Sequence, residues 1–200
     1  MTSRFSGIQW VALTAFGLAF GLIGGILLGM PLGQIVNAMI VTAAVTCVAG
    51  AVLGGFQAIG LRRVLRRPLW WIVATVIGFG IGLAAAVVTV EQTGIFLTGH
   101  RPQLAHLTTW YRAISFVALG LVAGTILGVA QSLVLRRQLP SVKRWIPVTA
   151  IGLAIALSAS SLAVDLSGMR IASAMGAIAF VMLSGVAFGA LTSRPLRRIS

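Results

Sequence analysis

The chain has 200 residues, 58% of them hydrophobic and only 8% charged, with a formal net charge of +13. A soluble domain carries about a quarter charged residues, so this composition, with a mean hydropathy of +1.05, excludes an ordinary soluble fold. The single cysteine, Cys47, excludes an internal disulfide and a cysteine cluster for metal; in mid-span it reads as a small packing residue.

Apolar runs of about bilayer length account for the composition. They are Ile8–Gly29, Ile35–Leu61, Leu69–Val90, Ala113–Leu135, Trp145–Val164 and Ile171–Leu191. The N-terminal stretch carries Arg4 and, with the run behind it, has the look of a signal peptide. The run is too long for that, no small-residue cleavage site closes it, and it shares a repeat with later segments. It is therefore read as a retained first span. Gly17, Gly21, Gly25, Gly29 and Gly33 recur along it at four-residue spacing, placing a glycine groove on one helix face. Such a face either packs closely on a neighbouring helix or forms a ligand groove, and close packing is the routine use in membrane bundles. Pro31 marks a short outer turn.

The second run is the longest and must tilt or begin outside the hydrocarbon, with Asn37 at its outer end. A basic turn, Arg62 to Pro68, leads to Trp70 and Trp71, which are expected at headgroup depth. The third span ends at Glu91, and Gln92 to Arg112 form the only substantial outer segment. Its part from Leu104 to Tyr111 suits a short surface helix. His100 and His106, with Glu91, are a thin metal-ligand set, since such sites want a compact group of three or four ligands. The fourth span repeats the glycine spacing. The fifth opens with Trp145, with Pro147 in its first turn. Asp165 ends it, and the sixth carries Gly185 and Gly189. This reading leaves every proline outside helix interiors.

In a soluble protein the net charge would suggest nucleic acid. Here Arg4, Arg62, Arg63, Arg66, Arg67, Arg136, Arg137, Lys143, Arg144, Arg194, Arg197 and Arg198 fall on one side of a six-span topology. Arg101, Arg112 and Arg170, and both acids, Glu91 and Asp165, fall on the other. The positive-inside rule then puts both termini in the cytoplasm of a cell membrane. The basic loops suit anionic headgroups on that side, and no nucleic-acid partner is expected.

The chain repeats itself. Gly50, Gly54, Gln57, Leu61, Arg62, Arg63, Trp71, Thr75 and Gly78 recur as Gly124, Gly128, Gln131, Leu135, Arg136, Arg137, Trp145, Thr149 and Gly152. A third member is split between the ends: Trp10, Thr14, Gly17 and Gly21 begin it, and Gly185, Gly189, Thr192, Leu196, Arg197 and Arg198 close it. The expected fold is therefore all-α: a single transmembrane domain of six helices, built as three parallel two-helix repeats at about 8–67, 68–140 and 141–200 in a pseudo-threefold bundle. Gly17, Gly21, Gly25, Gly50, Gly54, Gly78, Gly82, Gly120, Gly124, Gly128, Gly185 and Gly189 are expected to pack helix on helix. Glu91 and Asp165 take equivalent places, where the first hairpin has Met30.

The Gln-x-x-x-Leu-Arg-Arg ending at Gln57 to Arg63 and Gln131 to Arg137, each followed by a Trp-led helix, resembles small uncharacterised bacterial multi-pass membrane proteins. The resemblance implies a bacterial membrane and no particular activity. Mitochondrial carriers also have three two-helix repeats, but their proline–acid–basic signature is absent here.

No Asp, Glu, Lys, Arg or His falls inside a span, so an ion-coupled pump or proton relay is not indicated. Gly78, Gly80 and Gly82 lie inside an apolar run, not on a phosphate-binding loop. Ser158, Ser160 and Ser161 have no base near them. The chain is therefore read as non-enzymatic and without cofactor or metal. The candidate site is a polar layer: Thr14, Thr75 and Thr149, each four residues after a Trp, and Gln57, Gln131 and Thr192, each five before an Arg pair. Both sets fall about 6–8 Å inside the cytoplasmic boundary. They serve either as interhelical glue or as the lining of a vestibule. Two functions follow: an accessory subunit packing beside other membrane proteins, or a channel or carrier for a small neutral or lipophilic solute. In a Cys47→Ser background, single cysteines introduced at 62–67 should stay protected from an impermeant thiol reagent in intact cells, while those at 92–110 react; the reverse pattern inverts the topology.

Overall fold

A computed structural model describes residues 6–32, 38–62, 65, 67–98, 109–136, 142–166 and 174–197. Among them lie six α-helices and no strand: α1 (Gly7–Leu32), α2 (Ala38–Leu61), α3 (Pro68–Thr98), α4 (Thr109–Leu135), α5 (Trp145–Leu166) and α6 (Ala174–Arg197). A 3₁₀ turn, Val142–Arg144, leads into α5. α1 to α5 each hold a segment long and apolar enough to cross a membrane, and the apolar part of α6, Ile178–Ser193, is shorter. Where water is excluded, a helix satisfies its own backbone groups, which is why long apolar runs take this form.

Several expected boundaries move. α3 is the longest helix, at 31 residues against 24 for α2, and continues through Glu91 to Thr98 instead of entering a loop at Gln92. α4 begins at Thr109, so Arg112 stands on a helix, as does Asp165 near the end of α5. α6 runs on through Pro195 to Arg197, and α1 through Pro31 to Leu32. Pro68 opens α3, where the N–H would be unpaired in any case, whereas Pro31 and Pro195 lie in last turns and forgo a bond to the carbonyl four residues earlier, so prolines do lie within helices here. Residues 99–108 of the outer segment, with His100, His106 and the start of the expected surface helix at Leu104, lie outside the described residues.

Each helix packs on those before and after it in sequence, and α6 closes on α1, making a ring. Neighbours run antiparallel, as the glycine contacts record. A Cβ on Gly124 would lie 2.7 Å from Ala150 Cα, and one on Gly128 3.0 Å from Ile146 Cα. Gly50 and Gly54 stand in the same way against Val76 and Ile72, at 2.9 and 3.1 Å, and Gly185 and Gly189 against Ala15 and Val11, at 2.6 and 2.9 Å. Within hairpins, Gly17 meets Leu53 and Phe56, Gly21 meets Ala49, and Gly25 meets Val45. Gly78 meets Leu127 and Ala130, Gly82 meets Ala123, and Gly120 faces Ala154.

Large apolar side chains, among them Phe20, Ile77, Ile81, Leu121 and Ile155, stand exposed on the outside of the ring. Cys47 is also exposed, so the expectation that it packs in the interior is corrected. Lipid solvates large apolar groups, so the contacts between neighbouring helices select for small size, not for hydrophobicity. Gly124→Ala should therefore lower the thermal midpoint in detergent, at a cost of about 1–3 kcal/mol for the forced helix shift. A Cβ on Gly80 would meet nothing within 4 Å, and Gly80→Ala should be neutral or stabilising in the same measurement.

Candidate functional site

The interior of the ring is layered. Nearest the basic turns, Trp10, Trp71 and Trp145 are 1%, 0% and 4% exposed and pack in one cluster with Ala58, Leu61, Leu65 and Leu135. The Trp71 and Trp145 rings meet edge to face with centroids 6.0 Å apart, although α3 and α5 are not neighbours in the ring. The indoles thus reach inward. Of the adjacent pair expected at headgroup depth, Trp70 is 57% exposed and faces outward, whereas Trp71 is wholly enclosed. One residue of helix separates them by about 100° of rotation, which decides the difference.

One turn deeper lie Thr14, Gln57, Thr75, Gln131, Thr149 and Thr192, all buried. The described hydrogen bonds join them unevenly. Gln131 Nε2 donates to Thr75 Oγ1 at 3.2 Å and to Gln57 Oε1 at 3.4 Å, and Gln131 Oε1 accepts from Trp145 Nε1 at 3.1 Å. On the far side, Trp10 Nε1 donates to Thr192 Oγ1 at 2.9 Å. The hydroxyls of Thr75, Thr149 and Thr192 donate back to the carbonyls of Trp71, Trp145 and Phe188 one turn earlier. Thr14 Oγ1 and Trp71 Nε1 are buried without a partner. Thr149 therefore joins no other member of the layer, and Thr14 none at all.

Four residues before Gln57, Gln131 and Thr192 stand Leu53, Leu127 and Phe188, each 1% exposed. Leu127 and Phe188 belong to a second apolar cluster with Ala86, Ala123, Leu153 and Ala156. The polar layer is thus held between an indole layer and an apolar layer. Neither apolar layer was anticipated, though the register was available: Leu53, Leu127 and Phe188 occupy matching places before the three polar residues.

A second polar cluster bridges α4 and α5. Arg112 Nη2 donates to Asp165 Oδ2, with side chains 14% and 13% exposed, so these groups are paired and not free in outer loops. Ser161, one turn before Asp165, is fully buried with an unpartnered hydroxyl, and Arg112 Nε is likewise unpartnered. Ser158 donates to the Ala154 carbonyl. Among the described residues no three His, Cys, Asp or Glu side chains converge as metal ligands. Comparison with protein-family models, curated proteins and solved structures finds no match for this chain.

Asp165→Asn would leave the Arg112 guanidinium mostly enclosed without its counter-charge. A loss of about 1–3 kcal/mol is expected, measured by thermal or SDS unfolding, and most of it should disappear in the Arg112→Met background.

Proposed function

We propose that the protein is a non-enzymatic scaffold of a bacterial cell membrane: three two-helix repeats about a pseudo-threefold axis, with both termini cytoplasmic, acting as an accessory subunit beside other membrane proteins. The observation that carries this reading is the closed interior. The polar side chains bond to one another and to indoles, and apolar layers stand above and below them. Polar groups bonded in this way hold helices in register and are worth about 0.6 kcal/mol each on average.

The repeat draws support from matched settings. A Cβ on Gly54, Gly128 or Gly189 would meet Ile72, Ile146 or Val11 Cα at 3.1, 3.0 or 2.9 Å, and Thr75, Thr149 or Thr14 Cβ at 3.0, 3.1 or 3.2 Å. Gly54→Ala, Gly128→Ala and Gly189→Ala should therefore lower the thermal midpoint by similar amounts; one neutral variant among them would break the repeat.

The glycine stripes lie against helices of the same chain, so a partner protein would meet the large apolar side chains of the outer face instead. The basic turns would sit against anionic headgroups. The alternative, a conduit for a small neutral or lipophilic solute along the axis, is favoured by the Gln131–Gln57 bond, which puts polar groups in the middle of the ring. Purification from native membranes in mild detergent should yield a reproducible larger assembly. A homogeneous lone protein that passes solute in liposomes would replace the scaffold reading with the conduit.

A further inference from the structure

The two buried polar atoms left open in the layer, Thr14 Oγ1 and Trp71 Nε1, lie on α1 and α3, the helices that flank Gln57 on α2. Gln131, which holds the matching place on α4, uses both ends of its amide on its own flanking helices. Its Nε2 reaches Thr75 on α3 at 3.2 Å and its Oε1 receives Trp145 Nε1 from α5 at 3.1 Å. Moved back by one hairpin, the same two bonds run from Gln57 Nε2 to Thr14 Oγ1 and from Trp71 Nε1 to Gln57 Oε1. They satisfy both open atoms of the layer at once. Gln57 instead turns its oxygen to Gln131 Nε2 at a long 3.4 Å, across the ring between helices that are not neighbours.

From this geometry we infer that Gln57 is a two-position latch. In the crossed position it bonds Gln131 and closes the interior at the polar layer. In the lateral position it bonds Thr14 and Trp71, and the polar bonds run around the ring without crossing it. Gln131 loses little in the exchange, because Thr75 and Trp145 still hold both ends of its amide. A buried donor or acceptor left unmade is disfavoured, so the lateral position is accessible and the crossed one leaves two such atoms open. The inference rests on the threefold reading above, since it transfers the setting of Gln131 to Gln57.

The test is a set of double-mutant cycles on the full chain in detergent or nanodiscs, read as the unfolding equilibrium. Trp71→Phe and Gln57→Leu should be non-additive, by less than the about threefold in the unfolding constant that one full interhelical bond is worth, because the crossed position competes. Repeating the cycle in Gln131→Leu removes the crossed position, and the Trp71–Gln57 coupling should then grow. Additivity in both backgrounds would overturn the lateral position, and coupling of equal size in both would overturn the latch in favour of a fixed bond. Should Gln57→Leu fail to fold, Gln57→Met gives a second readout: the indole N–H resonance of Trp71 should shift while that of Trp10 stays in place. An unmoved Trp71 signal also overturns the inference. Equal losses in the three glycine variants with an additive Trp71–Gln57 cycle would retain the repeat and remove only the latch.

Discussion

How closely the helix backbones approach one another sets the terms for everything inside this protein. In a regular ring of six helices the distance from each helix to the axis equals the distance between neighbours. Interaxial distances of about 8–10 Å are usual, with the low end reached where small residues face each other. Subtracting the Cα radius of about 2.3 Å leaves roughly 6 Å from backbone to axis in the tightest case. Glutamine and tryptophan side chains span such a gap. Leucines or phenylalanines at Gly54, Gly128 and Gly189 would push the helices apart and leave a hole that these side chains could not fill. The contacts of Gly124 with Ala150 and of Gly21 with Ala49, at 2.7 Å for a Cβ placed there, are the local form of that constraint.

A tight ring then makes its interior polar groups interact. Thr75, Gln131 and Trp145 come from three successive helices and are joined by two bonds of 3.2 and 3.1 Å. Water is displaced from this layer by Trp10, Trp71 and Trp145 on one side and by Leu127 and Phe188 on the other. Between apolar layers an unmade hydrogen bond costs more than in water. This is the physical reason a few glutamine and threonine side chains can fix the rotation of whole helices. The Arg112–Asp165 pair pins α4 to α5 away from this layer by charge, where both groups keep partial contact with their surroundings.

The exterior follows the opposite rule. Phe16, Phe20 and Phe56 form a stacked row, with ring centroids 6.1 and 6.2 Å apart; Phe20, Ile77, Ile81 and Leu121 are exposed. In lipid such groups need no burial. The outer wall is thus broadly apolar and built of large side chains, while the glycines lie between neighbouring helices.

The sequence by itself determined the helices and the spacing that sets Thr one turn from Trp in the polar layer. Those properties are written along the chain: apolar length, and a fixed count from Trp to Thr. Away from the glycine, Gln and Thr positions it did not determine which side of each helix faces inward. In a membrane protein hydrophobicity hardly differs between the buried and lipid-facing sides, so the pattern that marks a soluble helix's core face is missing. Tertiary structure alone turned Trp71 in and Trp70 out, left Cys47 on the outside, extended α3 beyond Glu91, and brought Arg112 at the start of α4 to Asp165 at the end of α5. It also closed α6 on α1, placing Trp10 against Thr192. That contact joins residues from the two ends of the chain, and only the fit of backbone against backbone around the ring decides it.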